Sequence, residues 1–178
     1  AQFLTLSGAR VVALDYNPDR LKLASELGAE LAHNLAHNGL ATAVCEITAG
    51  RGCDGIIIAA ATDSSEPFET AASLARDRAR VVMVGLTGTA FPYADFMKKE
   101  LQIIVSRSYG PGRYDKEFES RGVKYPAGWI RWTESDNLAE TLRLMSPRRA
   151  ARLDVAALIS HRFSIDEAAR AYDIVIEG

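Results

Sequence analysis

Short apolar runs that alternate with helix-period segments constrain this chain more than any other feature. The runs are residues 10–15 (Arg10-Val11-Val12-Ala13-Leu14-Asp15), 55–61, 80–85 and 101–105. Uninterrupted apolar runs of this length suit strands covered on both faces. Between them, Leu21, Ala24 and Leu27 recur at helical spacing, with Asn17 as N-cap, Pro18 in the first turn and Gly28 past the end. Leu40, Ala43, Val44 and Ile47 repeat that spacing behind a cap expected from Asn38, and Gly50 and Gly52 stop the helix. Phe68, Ala71, Ala72 and Ala75 give a third helix, opened by Ser64-Ser65 and Pro67. Residues 30–34 add a short strand. Strands alternating with helices of this length predict a parallel sheet with crossover helices. The expected fold class is therefore α/β, an open, doubly wound parallel sheet.

The rhythm stops at Ser106. Residues 106–132 have neither period, yet gather Tyr109, Tyr114, Phe118, Tyr125, Trp129 and Trp132 among Arg107, Arg113, Lys116, Arg121, Lys124 and Arg131. A long stretch without regular structure is uncommon in a compact domain and is usually functional or interfacial. Beyond it, Leu138, Leu142 and Met145 predict a helix from about Ser135, residues 153–159 read as a strand, and Ser164-Ile165-Asp166-Glu167 is a capping box. The last helix carries the stripe Ile165, Ala168, Tyr172 and Val175. The expected organisation is a dinucleotide-binding domain over 1–106, an irregular interface or substrate-side segment over 107–134, and a helix–strand–helix extension over 135–178.

Bulk properties exclude several classes. A net charge of −2 gives no electrostatic help to nucleic-acid or membrane-surface binding. Stacking on the aromatics of 106–132 is thus expected to serve a protein contact rather than single-stranded nucleic acid. Two cysteines, Cys45 and Cys53, are too few for a disulfide scaffold, so a reducing cytoplasm is expected. No apolar run is long enough for a membrane span, and the first residues do not read as a signal peptide. His33 and His37 have zinc-like spacing only on one helix, which Asn34 and Asn38-Gly39 argue against, so no metal ligand is expected. His161 reads as structural. No G-x-S-x-G elbow is present. The turn Gly110-Pro111-Gly112-Arg113 is a plain turn or an anion contact through Arg113.

Chemistry is expected at the strand tips, because ligands of open α/β sheets sit outside the carboxyl ends of the strands. Asp15 ends the first apolar run. A carboxylate there accepts hydrogen bonds from both ribose hydroxyls of NAD and repels the extra phosphate of NADP; the structural alternative is an acid favoured by the helix dipole. Tyr16 and Arg20 flank it, and Arg20 lies under the adenine, pairs with Asp15 or Asp19, or is solvated. Small residues at the other tips, Ala60 and Ala61, then Gly85, Leu86 and Thr87, let a flat cofactor approach the backbone. These eight residues are the candidate cofactor site, and no catalytic residue is expected.

With these residues placed, the chain resembles the cofactor domain of medium-chain, zinc-type alcohol dehydrogenase-like oxidoreductases. The likeness runs through Gly8-Ala9-Arg10-Val11-Val12-Ala13-Leu14-Asp15, Arg20-Leu21, Ala24-Ser25-Glu26-Leu27-Gly28-Ala29, Gly52-Cys53-Asp54-Gly55 and Arg80-Val81-Val82-Met83-Val84-Gly85-Leu86. Ser108-Tyr109-Gly110-Pro111-Gly112-Arg113-Tyr114-Asp115 and Tyr125-Pro126-Ala127-Gly128-Trp129-Ile130-Arg131-Trp132-Thr133-Glu134 resemble one branch of it. In that branch the dehydrogenase-like half is fused to a Gfo/Idh/MocA-type half and is often linked to sugar or polysaccharide metabolism. The resemblance implies a Rossmann-like fold, NAD as cofactor with NADP less suited, and hydride transfer with an alcohol or sugar-type small-molecule substrate. It also implies a homodimer through residues 101–105 and contacts with catalytic and fused domains outside this sequence, which alone would hold any zinc. The family's first strand and G-x-G-x-x-G loop are not in the sequence. The chain is therefore expected to start behind that loop, to be inactive alone and to bind NAD weakly. The sheet position between the strands of 10–15 and 55–61 is expected either to close by their pairing or to be filled by another segment. A non-catalytic nucleotide-sensing module and a purely structural interaction domain are the rival readings.

Overall fold

The computed structural model describes residues 1–177. A short helix α1 (Gln2–Leu6) leads into β1 (Val12–Asp15), α2 (Pro18–Glu26) and β2 (Leu31–Asn34). Then come α3 (Leu40–Ile47), β3 (Cys53–Ile58), α4 (Glu66–Leu74), β4 (Ala75–Met83), α5 (Tyr93–Lys98) and β5 (Gln102–Val105). The remaining regular elements are helical: α6 (Lys116–Arg121), α7 (Glu134–Leu144), two single 3₁₀ turns (Ala156–Leu158 and Ile165–Glu167) and α8 (Ala168–Glu177).

Every strand pair is parallel. β1 pairs with β2, from Val12 opposite Leu31 to Asp15 opposite Asn34. β4 lies between β3 and β5, with Val81 opposite both Ile56 and Ile103. The doubly wound, Rossmann-like α/β class expected from the alternating runs is the one observed. The sheet is nevertheless in two parts, β1-β2 and β3-β4-β5. Neither expected closure occurs: β1 does not pair with β3, and no other described strand pairs with either at that edge. Each strand is held on its other edge, and side chains bridge instead. Arg10 Nη1 donates to the carbonyl of Ile47 (2.7 Å), and the Tyr16 hydroxyl donates to Glu66 (3.4 Å).

Local chemistry explains most boundaries. Asn17 caps α2, its Oδ1 accepting from the amides of Asp19 (2.8 Å) and Arg20 (3.4 Å), with Pro18 at the first helical position. Asn38 is not the cap of α3. Gly39 takes that place at φ 96°, a left-handed geometry that costs glycine little. β4 begins earlier than residues 80–85 suggest. Its register slips between Cys53–Ala75 and Gly55–Arg80, with Arg78 at φ 59° inside the irregularity, and the fully buried Ala79 holds the segment in place.

The main core lies between α4, α5 and the three-stranded sheet. Ile58, Phe68, Ala71, Ala72, Val81 and Phe96 form one buried cluster. Phe68 packs at 6.1 Å from Phe96 and 6.4 Å from Phe91, ring centre to ring centre. Lys99 crosses beneath α4, its ammonium donating to the carbonyls of Ala72 (2.6 Å) and Ala75 (2.8 Å), where the end of a helix favours a cation.

The stretch after β5 is more ordered than its sequence implies. Asp115 caps α6, and its second oxygen accepts from the Tyr125 hydroxyl at 2.6 Å. That bond holds the Asp115 carboxyl below the usual carboxylate range and the Tyr125 phenol above its own. Tyr125 stacks on Phe118 at 5.4 Å and meets the edge of Trp129. Thr133 and Asp136 close a capping box on α7. The strand expected at 153–159 does not form. Leu153 is buried and Asp154 is clamped by both amide atoms of Gln2, after which the chain makes the 3₁₀ turn. The capping box of Ser164 and Glu167 is present, but most of the stripe is open to solvent: Ile165, Tyr172 and Val175 are exposed, and only Ala168 is half-buried. Among the described residues no helix is long and apolar enough to cross a membrane.

Candidate functional site

Parallel pairing puts the carboxyl ends of β1, β3, β4 and β5 at one rim of their sheets, and the eight candidate residues lie there. Asp15 is the last residue of β1. One carboxylate oxygen accepts from the Asn17 amide at 2.9 Å, and the other lies 3.9 Å from the Arg20 guanidinium. Arg20 therefore pairs with Asp15 and not with Asp19. The Asp15 side chain keeps a third of its surface exposed, so its second oxygen has free acceptor capacity.

Tyr16 reaches from this tip to Glu66, the first residue of α4. The nearby negative charge of Glu66 raises the Tyr16 phenol above its ordinary range, so it stays protonated and donates. Two supporting residues escaped the sequence reading. Asn34 ends β2, donates to the Tyr16 carbonyl (3.0 Å) and accepts from the Ala36 amide (2.9 Å). It ties the tips of β1 and β2 together. Glu66 ties β1 to α4. Neither contact is readable from spacing, because each joins segments that are remote in sequence.

The loops after β3 and β4 enclose an open cleft of about 450 Å³, lined by Ala61, Thr62, Asp63, Leu86, Thr87 and Gly88. That is within the size range of small-ligand sites, roughly 300–1,000 Å³. Ala61, Leu86 and Thr87 are brought together as expected; Thr62, Asp63 and Gly88 join them. Ala60 and Gly85 do not line the cleft; Ala60 is exposed and Gly85 half-buried, and they meet at the backbone. A Cβ on Gly85 would lie 2.1 Å from the carbonyl oxygen of Ala60. The two loops are in backbone contact, with the Thr62 amide donating to the Leu86 carbonyl at 2.9 Å. Gly85→Ala is accordingly expected to push the loops apart, costing at least ~1–3 kcal/mol as an overpacked site. A thermal melt checks it; an unchanged midpoint contradicts the contact.

His33 lies in β2 and its ring lies 3.2 Å from the carbonyl of His37, so no helix carries both. His161 stacks on Phe163. Among the described residues no three metal-ligating side chains converge, so the residues present do not fit a zinc ion.

A family model described as zinc-binding dehydrogenase matches residues 1–120. The chain belongs to the zinc-binding dehydrogenase family. An alcohol dehydrogenase of Cupriavidus necator is 24% identical over 164 residues, which are 92% of this chain and 38% of that protein. Among solved structures, the alcohol dehydrogenase of the archaeon Aeropyrum pernix is 28% identical, with a TM-score of 0.51 over 58% of this chain and 30% of that one. Galactitol-1-phosphate dehydrogenase of Escherichia coli shares the fold over 91% of this chain and 41% of its own, at TM-score 0.62 and 22% identity. This zinc-binding dehydrogenase chain thus spans less than half the length of these relatives.

Proposed function

We propose that residues 1–106 form the NAD-binding part of an oxidoreductase that moves hydride to or from an alcohol or sugar-type carbon. The observation that carries this is Asp15: a carboxylate with free acceptor capacity at the tip of a parallel strand, in a chain of this family. Asp15 would hold the adenosine ribose, which favours NAD over NADP, with Arg20 beside it. Ala61, Leu86 and Thr87 would carry the rest of the dinucleotide across the cleft. The cofactor supplies the hydride chemistry when bound; this chain's residues bind and orient it.

The remaining assignments belong to the same proposal. Residues 107–134 are an interface or substrate-side segment, and 135–178 return toward a catalytic domain, which the exposed stripe on α8 suits. The likeness of 108–115 and 125–134 to the branch fused to a Gfo/Idh/MocA-type half motivates that partner. The outer edge of β5, exposed along Gln102–Val105, suits a homodimer. A cytoplasmic setting fits two free cysteines. The chain alone is expected to turn over no substrate.

The test is oxidation of polyols by the full polypeptide that carries this chain, followed by NAD reduction. Cofactor-dependent turnover supports the proposal. Nucleotide binding without turnover on any alcohol or sugar favours a sensing module instead.

A further inference from the structure

Arg113 sits in a setting that the cofactor reading leaves unused. It lies in the segment that follows β5. Its guanidinium carbon lies 5.5 Å from the ring centre of Tyr109 and 4.8 Å from that of Tyr114. Both rings are largely in water, at 63% and 68% exposure. Both tyrosines also have left-handed backbones, φ 60° and 69°. A bulky residue in that region costs roughly 1–2 kcal/mol and persists only where the surroundings enforce it. The enforcement is visible. Asn137 donates to the Tyr109 carbonyl (2.9 Å), and the Glu134 amide donates to the Pro111 carbonyl (2.7 Å). Rigid elements thus hold two aromatic faces in solvent around one cation.

The cation is only part-satisfied. Glu119 takes one nitrogen, Nη1, at 2.7 Å, although a carboxylate usually takes two parallel N–H groups from arginine. Arg113 Nε is buried with no partner among the described residues, while 38% of the side chain remains exposed. A second guanidinium, Arg107, approaches closely enough to donate to the Arg113 carbonyl at 3.0 Å. Nε is shut from solvent and Nη1 is taken by Glu119, so Nη2, which bonds no described group, is the donor left to an anion carried on a ring between the two open tyrosines.

We propose that Arg113, framed by Tyr109 and Tyr114, binds the carboxylate or phosphate of an acidic sugar, the guanidinium taking the anion and a tyrosine face taking the sugar ring. The anion and the ring follow from the cluster. That the ring is a polyol rests on the dehydrogenase reading. The binding measurement needs no cofactor, so it stands or falls separately from turnover.

The experiment is calorimetric titration of this chain with glucuronate, glucose 6-phosphate and glucose. Tighter binding of either acid than of glucose supports the site, and the tighter acid names the anion. Arg113→Gln is expected to erase that preference, a loss of about tenfold or more, as for a deleted charged hydrogen bond. Tyr114→Asn keeps the left-handed backbone at little cost, so the melting point should hold while all three sugars weaken. It decides the matter if Arg113→Gln does not fold. Acids that bind no tighter than glucose, an anion preference unmoved by Arg113→Gln, or full affinity in a folded Tyr114→Asn chain would overturn the proposal.

Discussion

Phe68→Ala is expected to lower the melting temperature by roughly 6–20 °C, the largest stability effect of any single change in this chain. Phe68 is 1% exposed and anchors α4 to the sheet through Val81 and Ile58 and to α5 through Phe96. Its truncation removes the apolar burial and leaves a cavity walled by backbone-fixed strands, a combination that costs ~3–5 kcal/mol. Domains have only about 5–15 kcal/mol to lose, and each kcal/mol shifts the midpoint of a chain this size by ~2–4 °C. The consequence reaches the rim. α4 carries Glu66 at its first turn, and the β3–α4 loop supplies Ala61–Asp63, so a loosened α4 opens the cleft as well. Calorimetry of the two chains measures the effect. A shift under 2 °C would mean that the aromatic cluster is not the core.

The second large effect falls on ligand affinity. In the full polypeptide, Asp15→Ala is expected to weaken NAD by about 10–100-fold, the range for deleting a charged hydrogen-bond partner, while NADP changes little or improves. The NADP expectation has a specific cause. Arg20 is 3.9 Å from Asp15, and removing the carboxylate releases that guanidinium toward a ribose phosphate. Asp15 also accepts from the Asn17 amide, so alanine removes a turn as well as a ligand contact. Asp15→Asn separates the two: it keeps an acceptor for the amide but lacks the charge. Parallel losses of NAD and NADP in Asp15→Ala, with both affinities kept in Asp15→Asn, would assign Asp15 to the turn alone.

What the sequence disclosed follows from periodicity. β1, β3, β4 and β5 and helices α2, α3 and α4 are legible because their apolar residues recur at fixed spacing between Asn17-Pro18, Gly28 and Gly50-type punctuation. Because the strands are parallel, their carboxyl tips are legible too, and Asp15, Ala61, Leu86 and Thr87 follow. Short helices are different. α5 buries only Phe96, and α6 owes its existence to the Asp115 cap and to the stacking of Phe118 on Tyr125. One turn with one anchor leaves no period to detect. Residues 153–159 are apolar without being a strand, since Leu153 is fixed by burial and Asp154 by Gln2, partners remote along the chain. The same remoteness hid Asn34 and Glu66. The stripe on α8 was readable as apolar, but a stripe does not say whether its partner lies within these residues.

Asp15 as a ribose ligand is the claim on which the rest depends, and a two-by-two comparison isolates it. NAD and its adenosine 2′-deoxy analogue are titrated against the full polypeptide and its Asp15→Ala variant. The unaltered protein should prefer NAD by about tenfold, and the variant should bind the two nucleotides equally, because the hydroxyl and the carboxylate report on each other. The same preference in both proteins would contradict the account.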